Sequence, residues 1–384
     1  MELTLEELEA LEPGSYTLLD LRSEQETAYG TIPGSVPANA AALPEGLPAE
    51  PGRIVLFCTR GKLSLETAER LRDEGFDACS LKGGYLAWLM RQMQRQEAEE
   101  LCSRVENSLR KRFRLKLWCN FTKAIRQYEL VKPNDRIAVC MSGGKDSMLM
   151  AKLLQLLQRH SDVPFEVVYL VMDPGYNAAN RQKIEQNAAL LHIPVTIFST
   201  DIFEITSTAG QSPCYLCARM RRGYLYSKAR ELGCNKIALG HHFSDVVETT
   251  VMSMFYGSQL QAMPPKLRSR NFPGMELIRP MYCIHEDDII AWQHHNGLEF
   301  IQCACRFTER AAEAGNDGSS SKRQEVKLLL RELRRTNPGV EKSIFHSIHS
   351  VCLDTMVGYK TGGVEHTFAD CYRERGEMTQ EDET

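Results

Sequence analysis

The sequence lacks any apolar stretch close to the roughly 20 residues that a membrane-spanning helix needs. Its first residues are acidic, whereas a secretory signal peptide begins with cationic ones. Neither sign of charge dominates, because 46 Lys and Arg stand against 50 Asp and Glu. Apolar residues make up 43% of the chain, which is ordinary for globular proteins and argues against a disordered or collagen-like chain. We therefore expect a cytoplasmic protein with no membrane partner.

The charge is unevenly distributed along the chain. Residues 1–95 hold nine Lys and Arg against 15 Asp and Glu. A basic cluster follows, in which six cations face only Glu106: Arg104, Arg110, Lys111, Arg112, Arg114 and Lys116. Dense local cations at low total charge are typical of a surface that binds a polyanion. A solvated helix face is the alternative interpretation of the same cluster.

Cysteine is the most informative residue type here. The 13 cysteines are an odd number spread over a long chain. This pattern favours reduced thiols, metal ligation or sulfur chemistry over a disulfide framework.

The spacing of apolar residues divides the chain into two α/β parts. Short strands at residues 15–21, 53–57 and 78–81 alternate with a helix within residues 1–95. A polar helical linker, which includes the first helix of the second domain, is expected over residues 96–130. Strands and amphipathic helices then alternate from residue 136, which predicts a second domain at residues 131–360 and a flexible tail at 361–384. Apolar strands between amphipathic helices predict a doubly wound parallel sheet whose functional residues follow the carboxyl ends of strands.

A phosphate-binding loop follows the first strand of the second domain. Ser142-Gly143-Gly144-Lys145-Asp146-Ser147 stands between a predicted strand and a predicted helix. Two glycines let the backbone amides turn inward, the helix dipole favours an anion, and Lys145 adds a positive charge. The Walker pattern does not fit, because Val139 stands where its first glycine belongs and Asp146 follows the lysine.

The loop resembles the SGGxDS signature of PP-loop ATPases, of the adenine nucleotide alpha hydrolase-like fold. The segment Gly240-His241-His242-Phe243-Ser244-Asp245 resembles the GHxxDD segment of the same family, with Ser244 in place of the first acidic residue. The resemblance implies ATP and Mg²⁺ as cofactors, with Lys145, Asp146 and Asp245 as catalytic residues. It also implies nucleotide binding by one set of residues: Ser142, Gly143, Gly144, Lys145, Asp146, Ser147, Gly240 and His241.

Two cysteine pairs are candidates for a metal centre. Cys214 and Cys217 are three residues apart in a predicted helix, so both thiols face the same way. The second pair is Cys303-Ala304-Cys305. Thiolates bind both zinc and iron–sulfur clusters, so the residues alone leave both open.

Further segments make the resemblance more specific. CYLCARMRRGYLY, KIALGHH, MFYG, MPPK and IRP occur in the order found in tRNA-cytidine 2-sulfurtransferases, over about residues 105–355. The resemblance implies a 4Fe-4S cluster held by three cysteines, with one iron free to hold sulfur. Cys214 and Cys217 match directly; Cys305 is the expected third ligand, and Cys303 is the alternative.

The first domain carries a candidate sulfur-transfer cysteine. Cys58 follows a strand and precedes a helix, so backbone amides, Arg60 and Lys62 are expected to favour its thiolate. Ser64 stands where a Cys-x5-Arg phosphatase would have arginine. Leu19-Asp20-Leu21-Arg22, Ile32-Pro33-Gly34 and the segment at residues 83–88 resemble a rhodanese domain, with Thr31 in place of its usual histidine. The resemblance implies a persulfide on Cys58; an idle cysteine is the alternative.

Together these features predict an ATP-dependent tRNA thiolation enzyme. The family resemblance implies that ATP adenylates the C2 oxygen of an anticodon-loop cytidine, at position 32 of the tRNA, and that sulfur from the cluster or from Cys58 then displaces AMP. The expected partners are tRNA and an upstream sulfur donor, such as a cysteine desulfurase or thiosulfate; a homodimer stays open. The alternatives are thiolation of a uridine or a small carbonyl compound, and a sulfur-carrier scaffold without ATP turnover. Candidate RNA contacts are residues 104–116, Arg219, Arg221, Arg222, Lys266, Arg268 and Arg270.

Overall fold

A computed structural model describes residues 1–45, 47, 52–200, 202, 213–301, 322–370 and 372–373, of which residues 213–218 are described by their backbone alone. The chain divides into two compact units, Met1–Leu101 and Cys102–Thr384. Within the described residues, no helix combines the length and the apolar character needed to cross a membrane.

The first unit contains a parallel sheet with the strand order β1-β5-β4-β2-β3. Its strands are β1 (Glu2–Leu3), β2 (Tyr16–Asp20), β3 (Val36–Pro37), β4 (Arg53–Phe57) and β5 (Ala78–Leu81). The central strand β4 is buried on both faces, because Ile54 and Leu56 pack into one apolar cluster while Val55 and Phe57 pack into another. A strand that is buried on both faces needs consecutive apolar residues, and Ile54 to Phe57 of β4 supply them.

The second unit contains a six-stranded sheet with the order β10-β11-β9-β6-β7-β8. Its strands are β6 (Arg136–Met141), β7 (Glu166–Asp173), β8 (Val195–Ser199), β9 (Lys236–Ala238), β10 (Lys266–Arg268) and β11 (Glu276–Ile278). All neighbours pair in parallel except β10, which is antiparallel to β11. The expected parallel sheet is therefore confirmed apart from this edge strand.

Helices cover the sheets as the alternating pattern predicts. The helix Lys145–His160 is buried along most of its length, because its apolar face lies on the sheet. The described α-helices are Leu5–Ala10, Glu24–Thr27, Lys62–Asp73, Gly84–Arg110, Cys119–Gln127, Lys145–His160, Ala178–Leu190, Pro213–Glu231, Phe243–Gly257, Glu286–His295, Lys322–Thr336 and Val340–Ser347. A π-helical turn spans Arg114–Trp118, and a 3₁₀ turn spans Leu353–Thr355.

A hairpin of β12 (Gly358–Thr361) and β13 (Val364–Thr367) spans the boundary expected at residue 360. Regular structure therefore continues into the segment expected to be a tail. Residues 374–384 of that segment lie outside the described residues.

The strand order fixes where a ligand should bind. From β6 the chain builds one half of the sheet through β7 and β8, and the other half through β9 and β11. The order therefore reverses between β6 and β9. In open α/β sheets, ligands bind in the crevice outside the carboxyl ends of the strands at such a point.

Candidate active site at the carboxyl edge of the six-stranded sheet

The phosphate loop, residues 142–147, leaves β6 at this reversal point and enters the helix Lys145–His160. Gly143 has φ of +79°, and a Cβ atom built on it would lie 2.5 Å from Ile184 Cγ1. Only glycine fits there without strain. Gly144 begins the helix without a side-chain cap, so the amides of the first turn remain available to a ligand.

Two serines fix the shape of the phosphate loop. The backbone N–H of Ser142 donates to Ser147 Oγ at 3.2 Å, and Ser147 Oγ donates to the Gly144 carbonyl at 3.0 Å. Gly240, which follows β9, packs against the same turn, because a Cβ atom on it would lie 3.3 Å from Ser147 N. The two segments predicted to bind nucleotide therefore touch each other.

A charged pocket of about 280 Å³ opens beside the phosphate loop. Its lining residues are Lys145, Asp146, His242, Asp245, Glu248, Glu286, Arg323, Gln324 and Lys327. Lys145 Nζ lies 3.0 Å from Asp146 Oδ2 and 3.2 Å from Glu286 Oε1. Burial would lower the pKa of Lys145, but these two carboxylates raise it, so the lysine is a fixed positive charge.

Glu286 bridges two lysines across the charged pocket. Its Oε2 atom lies 2.5 Å from Lys327 Nζ. Burial would raise the pKa of Glu286, but the hydrogen bond from Lys327 and the charges of both lysines lower it to about 2. Glu286 is therefore ionised at neutral pH, and its carboxylate fixes the position of the Lys145 ammonium group at the phosphate loop.

Asp245 and His242 form the start of the helix Phe243–Gly257. The His242 N–H donates to Asp245 Oδ2 at 2.9 Å, while the Asp245 N–H donates to His242 Nδ1 at 3.4 Å. Arg323 contacts the other oxygen of Asp245 and lies 2.8 Å from Glu248 Oε2. Asp146 Oδ1 is buried and has no hydrogen-bond partner among the described residues. Carboxylate oxygens at the edge of a phosphate site suit Mg²⁺, which takes one or two carboxylates plus phosphate oxygens.

The structure thus brings Lys145, Asp146 and Asp245 into one pocket. His241 does not line this pocket; its Nδ1 atom is buried without a partner among the described residues. Burial lowers the pKa of His241 to about 4, so the ring is neutral. The neighbouring residue, His242, lines the charged pocket instead of His241.

Cys58 of the first unit lies in a cradle of hydrogen-bond donors. It follows β4 and is 7% exposed. The Gly61 N–H donates to its sulfur at 3.2 Å, and Ser64 Oγ donates at 3.6 Å. Burial would raise the pKa of this thiol, but hydrogen bonds from Ser64, Arg60 and Gly61 outweigh it and lower the pKa. Gly84 packs directly against the backbone of the Cys58 loop, because a Cβ atom on it would lie 2.1 Å from the Cys58 carbonyl oxygen.

Asp20 and Arg22 form a buried ion pair in the first unit. Arg22 Nη2 lies 2.6 Å from Asp20 Oδ2, and both side chains are buried. Thr31, which stands in place of the usual histidine, donates to the same carboxylate at 2.6 Å. The contacts of these three residues are therefore those of a structural network.

Comparison with known proteins follows the same division of the chain. Residues 115–306 match the family model of the PP-loop domain, and residues 4–91 match the rhodanese-like domain. The tRNA-cytidine(32) 2-sulfurtransferase of Vibrio parahaemolyticus is 36% identical over 249 residues, which cover 64% of this chain and 79% of that protein. The protein of the same name from Syntrophotalea carbinolica is 37% identical over 232 residues, covering 60% and 86%.

The chain belongs to the tRNA-cytidine 2-sulfurtransferase family. Among solved structures, the U34-tRNA thiolase NcsA from Methanococcus maripaludis with its 4Fe-4S cluster is 21% identical, with a TM-score of 0.48. That alignment covers 67% of this chain and 86% of the thiolase.

The expected cluster ligands of this family member are only partly described. Cys214 and Cys217 lie in the first two turns of the helix Pro213–Glu231, which connects β8 to the parallel strand β9. A helix between parallel strands begins toward the carboxyl edge of the sheet, which is also the edge of the phosphate loop. Cys303 and Cys305 lie outside the described residues. Among the described side chains, no group of three or more His, Cys, Asp or Glu is arranged to hold a metal ion.

Sequence reasoning missed several residues of the charged pocket: His242, Glu248, Glu286, Arg323 and Lys327. His242 stands next to a predicted residue and could have been found. Arg323 and Lys327 are four residues apart and so share one face of a helix, but no motif indicates that this face reaches the phosphate loop.

A larger cavity, of about 900 Å³, lies at the opposite, amino edge of the sheet. It is lined by residues before β6 and before β7, such as Lys132 and Asp162. None of the residues predicted to bind nucleotide or metal lines it. The charged pocket is therefore the candidate active site although it is smaller, because residues predicted to bind nucleotide line it.

Proposed function

We propose that this protein is an ATP-dependent tRNA sulfurtransferase that replaces the C2 oxygen of cytidine 32 with sulfur. One observation carries the proposal: the phosphate loop and the carboxylates Asp146 and Asp245 meet in one pocket at the reversal point of the sheet. Membership of the tRNA-cytidine 2-sulfurtransferase family supports the choice of substrate.

The phosphate loop would bind the phosphates of ATP. Ser142, Gly143 and Gly144 form the turn that would hold the phosphates, with the amides of the two glycines as donors. The Ser142 N–H donates to Ser147 Oγ instead, which fixes the turn. Lys145 neutralises phosphate charge, while Gly240 keeps the neighbouring segment close. His241, the next residue of that segment, is half-buried and neutral. Asp146 and Asp245 would hold Mg²⁺, which supplies charge neutralisation for the leaving pyrophosphate.

The reaction balances in two displacements. The C2 oxygen of cytidine attacks the α-phosphorus of ATP, and the bond to pyrophosphate breaks. Sulfur at the oxidation level of sulfide then attacks C2, and AMP leaves with the former C2 oxygen. Sulfane sulfur from a Cys58 persulfide reaches this level when two thiols of an added reductant, such as dithiothreitol, are oxidised to a disulfide. Adenylation is needed because it converts a poor oxygen leaving group into a phosphate ester.

The substrate base must leave its stack to reach the pocket, which costs least in a single-stranded loop. Cations around the site would hold the RNA backbone. In the basic cluster of residues 104–116, each Lys and Arg is exposed, as are Arg219, Arg222, Arg268 and Arg270. Arg221 and Lys266 are half-buried, and Lys266 Nζ also donates to the Glu129 carbonyl at 3.1 Å.

We infer that Cys214, Cys217 and Cys305 hold a 4Fe-4S cluster, with Cys303 as the alternative third ligand. The donor set fits, because iron–sulfur cores prefer thiolates, and Cys214 and Cys217 are three residues apart in one helix. When bound, the cluster supplies an iron with a free coordination position for sulfur.

Metal analysis of anaerobically purified full-length protein tests the cluster. We expect about four iron atoms per chain and their loss in Cys214→Ser. The matched variant Cys234→Ser changes a buried thiol next to β9 and should keep its iron. Stoichiometric zinc without iron would contradict the cluster.

We infer that Cys58 carries a persulfide that it receives from thiosulfate or from a cysteine desulfurase. The lowered pKa and the donors around its sulfur support this role, because the thiolate is the nucleophile. Cys58→Ser should abolish thiolation driven by thiosulfate and spare thiolation driven by free sulfide. Equal thiosulfate-driven activity of Cys58→Ser and the unmodified protein would contradict a sulfur-transfer role of Cys58.

The proposed function is tested by nucleoside mass spectrometry of tRNA. Anaerobic protein with ATP, sulfide and tRNA should produce 2-thiocytidine, and a tRNA with uridine at position 32 should produce none. Lys145→Ala should lower product formation at least 100-fold, whereas Lys123→Ala, which changes an exposed lysine of the same unit, should not. Thiouridine as the product, or pyrophosphate release that persists in Lys145→Ala, would contradict the proposal.

A further inference from the structure

Arg279 is a buried cation at the same edge of the sheet as the charged pocket. It follows β11 directly, and β11 pairs in parallel with β9, so Arg279 lies beside the segment that carries Gly240. The Leu239 N–H donates to the Ile278 carbonyl at 3.0 Å, which holds the two segments side by side. Arg279 is only 8% exposed.

The guanidinium of Arg279 has an incomplete set of partners. Its Nη1 donates to the Pro264 carbonyl, and its backbone N–H donates to the Pro265 carbonyl at 2.9 Å. Its Nε is buried and has no acceptor among the described residues. Within the same residues, no carboxylate forms an ion pair with it. A buried charge without a counterion costs several kcal/mol.

The surroundings of Arg279 add positive charge. The pKa of Arg279 is lowered to about 10, mainly by burial; the charge of Arg222 also lowers it, while Tyr282 and Asp245 raise it. Arg279 is therefore still charged at neutral pH. Arg222 is exposed, and it lies on the helix that begins with the Cys214 pair. Arg222 and Arg279 are therefore close enough for their charges to repel each other.

We propose that Arg279, with Arg222, forms a phosphate-binding subsite beside the charged pocket, which takes a phosphate group of the bound RNA or of the nucleotide. Phosphate matches this position because it supplies both the missing negative charge and an acceptor for Nε. A guanidinium is suited to this task, since its planar fork binds phosphate oxygens in pairs.

The same side chain would couple phosphate binding to the loop at residues 263–265. Arg279 holds the carbonyls of Pro264 and Pro265, while Tyr282 Oη donates to the Met263 carbonyl at 3.0 Å. A phosphate on Arg279 would therefore rest against a loop whose position is already fixed.

This inference rests on the proposed function for the nature of the ligands, so binding is measured without turnover. The probes are α,β-methylene ATP and an RNA hairpin that carries the anticodon loop, each titrated onto the full-length protein. Arg279→Gln should weaken one of them by about 10- to 100-fold, the loss expected for a hydrogen bond to a charged group. Arg279→Lys, which keeps the charge but not the fork, should show a smaller loss.

The two sources of phosphate give different results. If the RNA backbone occupies the subsite, RNA affinity falls and the slope of log affinity against log salt decreases by about 0.7 to 0.9, while nucleotide affinity is unchanged. If the nucleotide occupies it, only the affinity for the ATP analogue falls. Arg335→Gln removes an exposed arginine of the same unit and should leave both affinities within about two-fold.

Unchanged affinity for both probes in a folded Arg279→Gln protein would overturn the subsite, whether or not the enzyme thiolates cytidine. Should Arg279→Gln fail to fold, Arg279→Lys and Arg222→Gln decide the question. The subsite is also overturned if the Arg279→Lys and Arg222→Gln proteins bind the ATP analogue and the RNA hairpin as tightly as the unmodified protein does. A failure of cytidine thiolation with these affinities reduced would leave the subsite standing and contradict only the proposed function.

Discussion

Lys145 Nζ and Glu286 Oε1 lie 3.2 Å apart, although 141 residues separate them in the chain. Glu286 also pairs with Lys327, so one carboxylate fixes two lysines around the charged pocket. The cation of the phosphate loop is therefore oriented by the protein itself. An oriented charge needs little reorganisation when phosphate arrives.

Replacing Glu286 tests this arrangement. Glu286→Gln leaves Lys145 and Lys327 without their shared counterion, so we expect the free energy of unfolding to fall by about 1–3 kcal/mol. Glu299→Gln is the matched control, because Glu299 is highly exposed and, among the described residues, its carboxylate pairs only with Lys183; it should cost less than about 0.5 kcal/mol. Equal effects of the two changes in urea unfolding would contradict the role of Glu286.

The phosphate loop should not tolerate a side chain at Gly143. In Gly143→Ala the new methyl group meets Ile184 and Ile301, and the residue keeps a φ of +79°. We expect a loss of about 1–3 kcal/mol in stability and a lower affinity for ATP. Gly223→Ala is the control, because no described atom lies within 4 Å of its added Cβ and the position is helical. It should be neutral or stabilising by up to about 1 kcal/mol. Calorimetric titration with ATP separates the two variants.

The cradle around Cys58 predicts how its reactivity depends on pH. Ser64→Ala removes the hydroxyl that donates to the sulfur, so the pKa of Cys58 should rise and the thiolate fraction at neutral pH should fall. The rate of alkylation of the Cys58 peptide, followed by mass spectrometry against pH, measures this. Thr59→Val removes a hydroxyl that bonds Glu26 instead, and it should leave the rate unchanged. An unshifted profile in Ser64→Ala would contradict the cradle.

The lowered pKa of the half-buried His241 should make the protein acid-sensitive. Its pKa is lowered from 6.5 to about 4, so the unfolded chain takes up a proton in this interval while the folded chain does not. Stability therefore falls as pH drops from 6.5 toward 4, by up to about 3 kcal/mol from this residue. His241→Gln should show a correspondingly flatter dependence in urea unfolding. Above pH 7 the difference in the free energy of unfolding between the unmodified protein and His241→Gln should be constant. If the two free energies stay parallel down to pH 4, His241 is not the source of the acid sensitivity.

The sequence predicts the parts of the fold and of the site that local chemistry determines. The strand at residues 136–141 and the loop after it are found where they were predicted, because an apolar run followed by two glycines has few alternatives. Asp245 reaches the same pocket because it follows a neighbouring strand. The antiparallel strand β10 was not foreseen, since three residues carry too short a pattern.

Glu286, Arg323 and Arg279 could not be assigned from the sequence. Each is a charged residue in a chain in which a quarter of the residues are charged, and its role depends on tertiary packing alone. Arg279 belongs to the IRP segment, whose resemblance to the family indicates no role for the arginine. What distinguishes it is its burial without a counterion, which requires coordinates.

The path of one oxygen atom tests the central claim most directly. If cytidine 32 is adenylated on its C2 oxygen, a tRNA that carries ¹⁸O at this position should transfer that atom to AMP as sulfur replaces it. Mass spectrometry should then find one ¹⁸O in each AMP formed together with 2-thiocytidine, and none in pyrophosphate. Unlabelled AMP formed alongside 2-thiocytidine would contradict the adenylation mechanism.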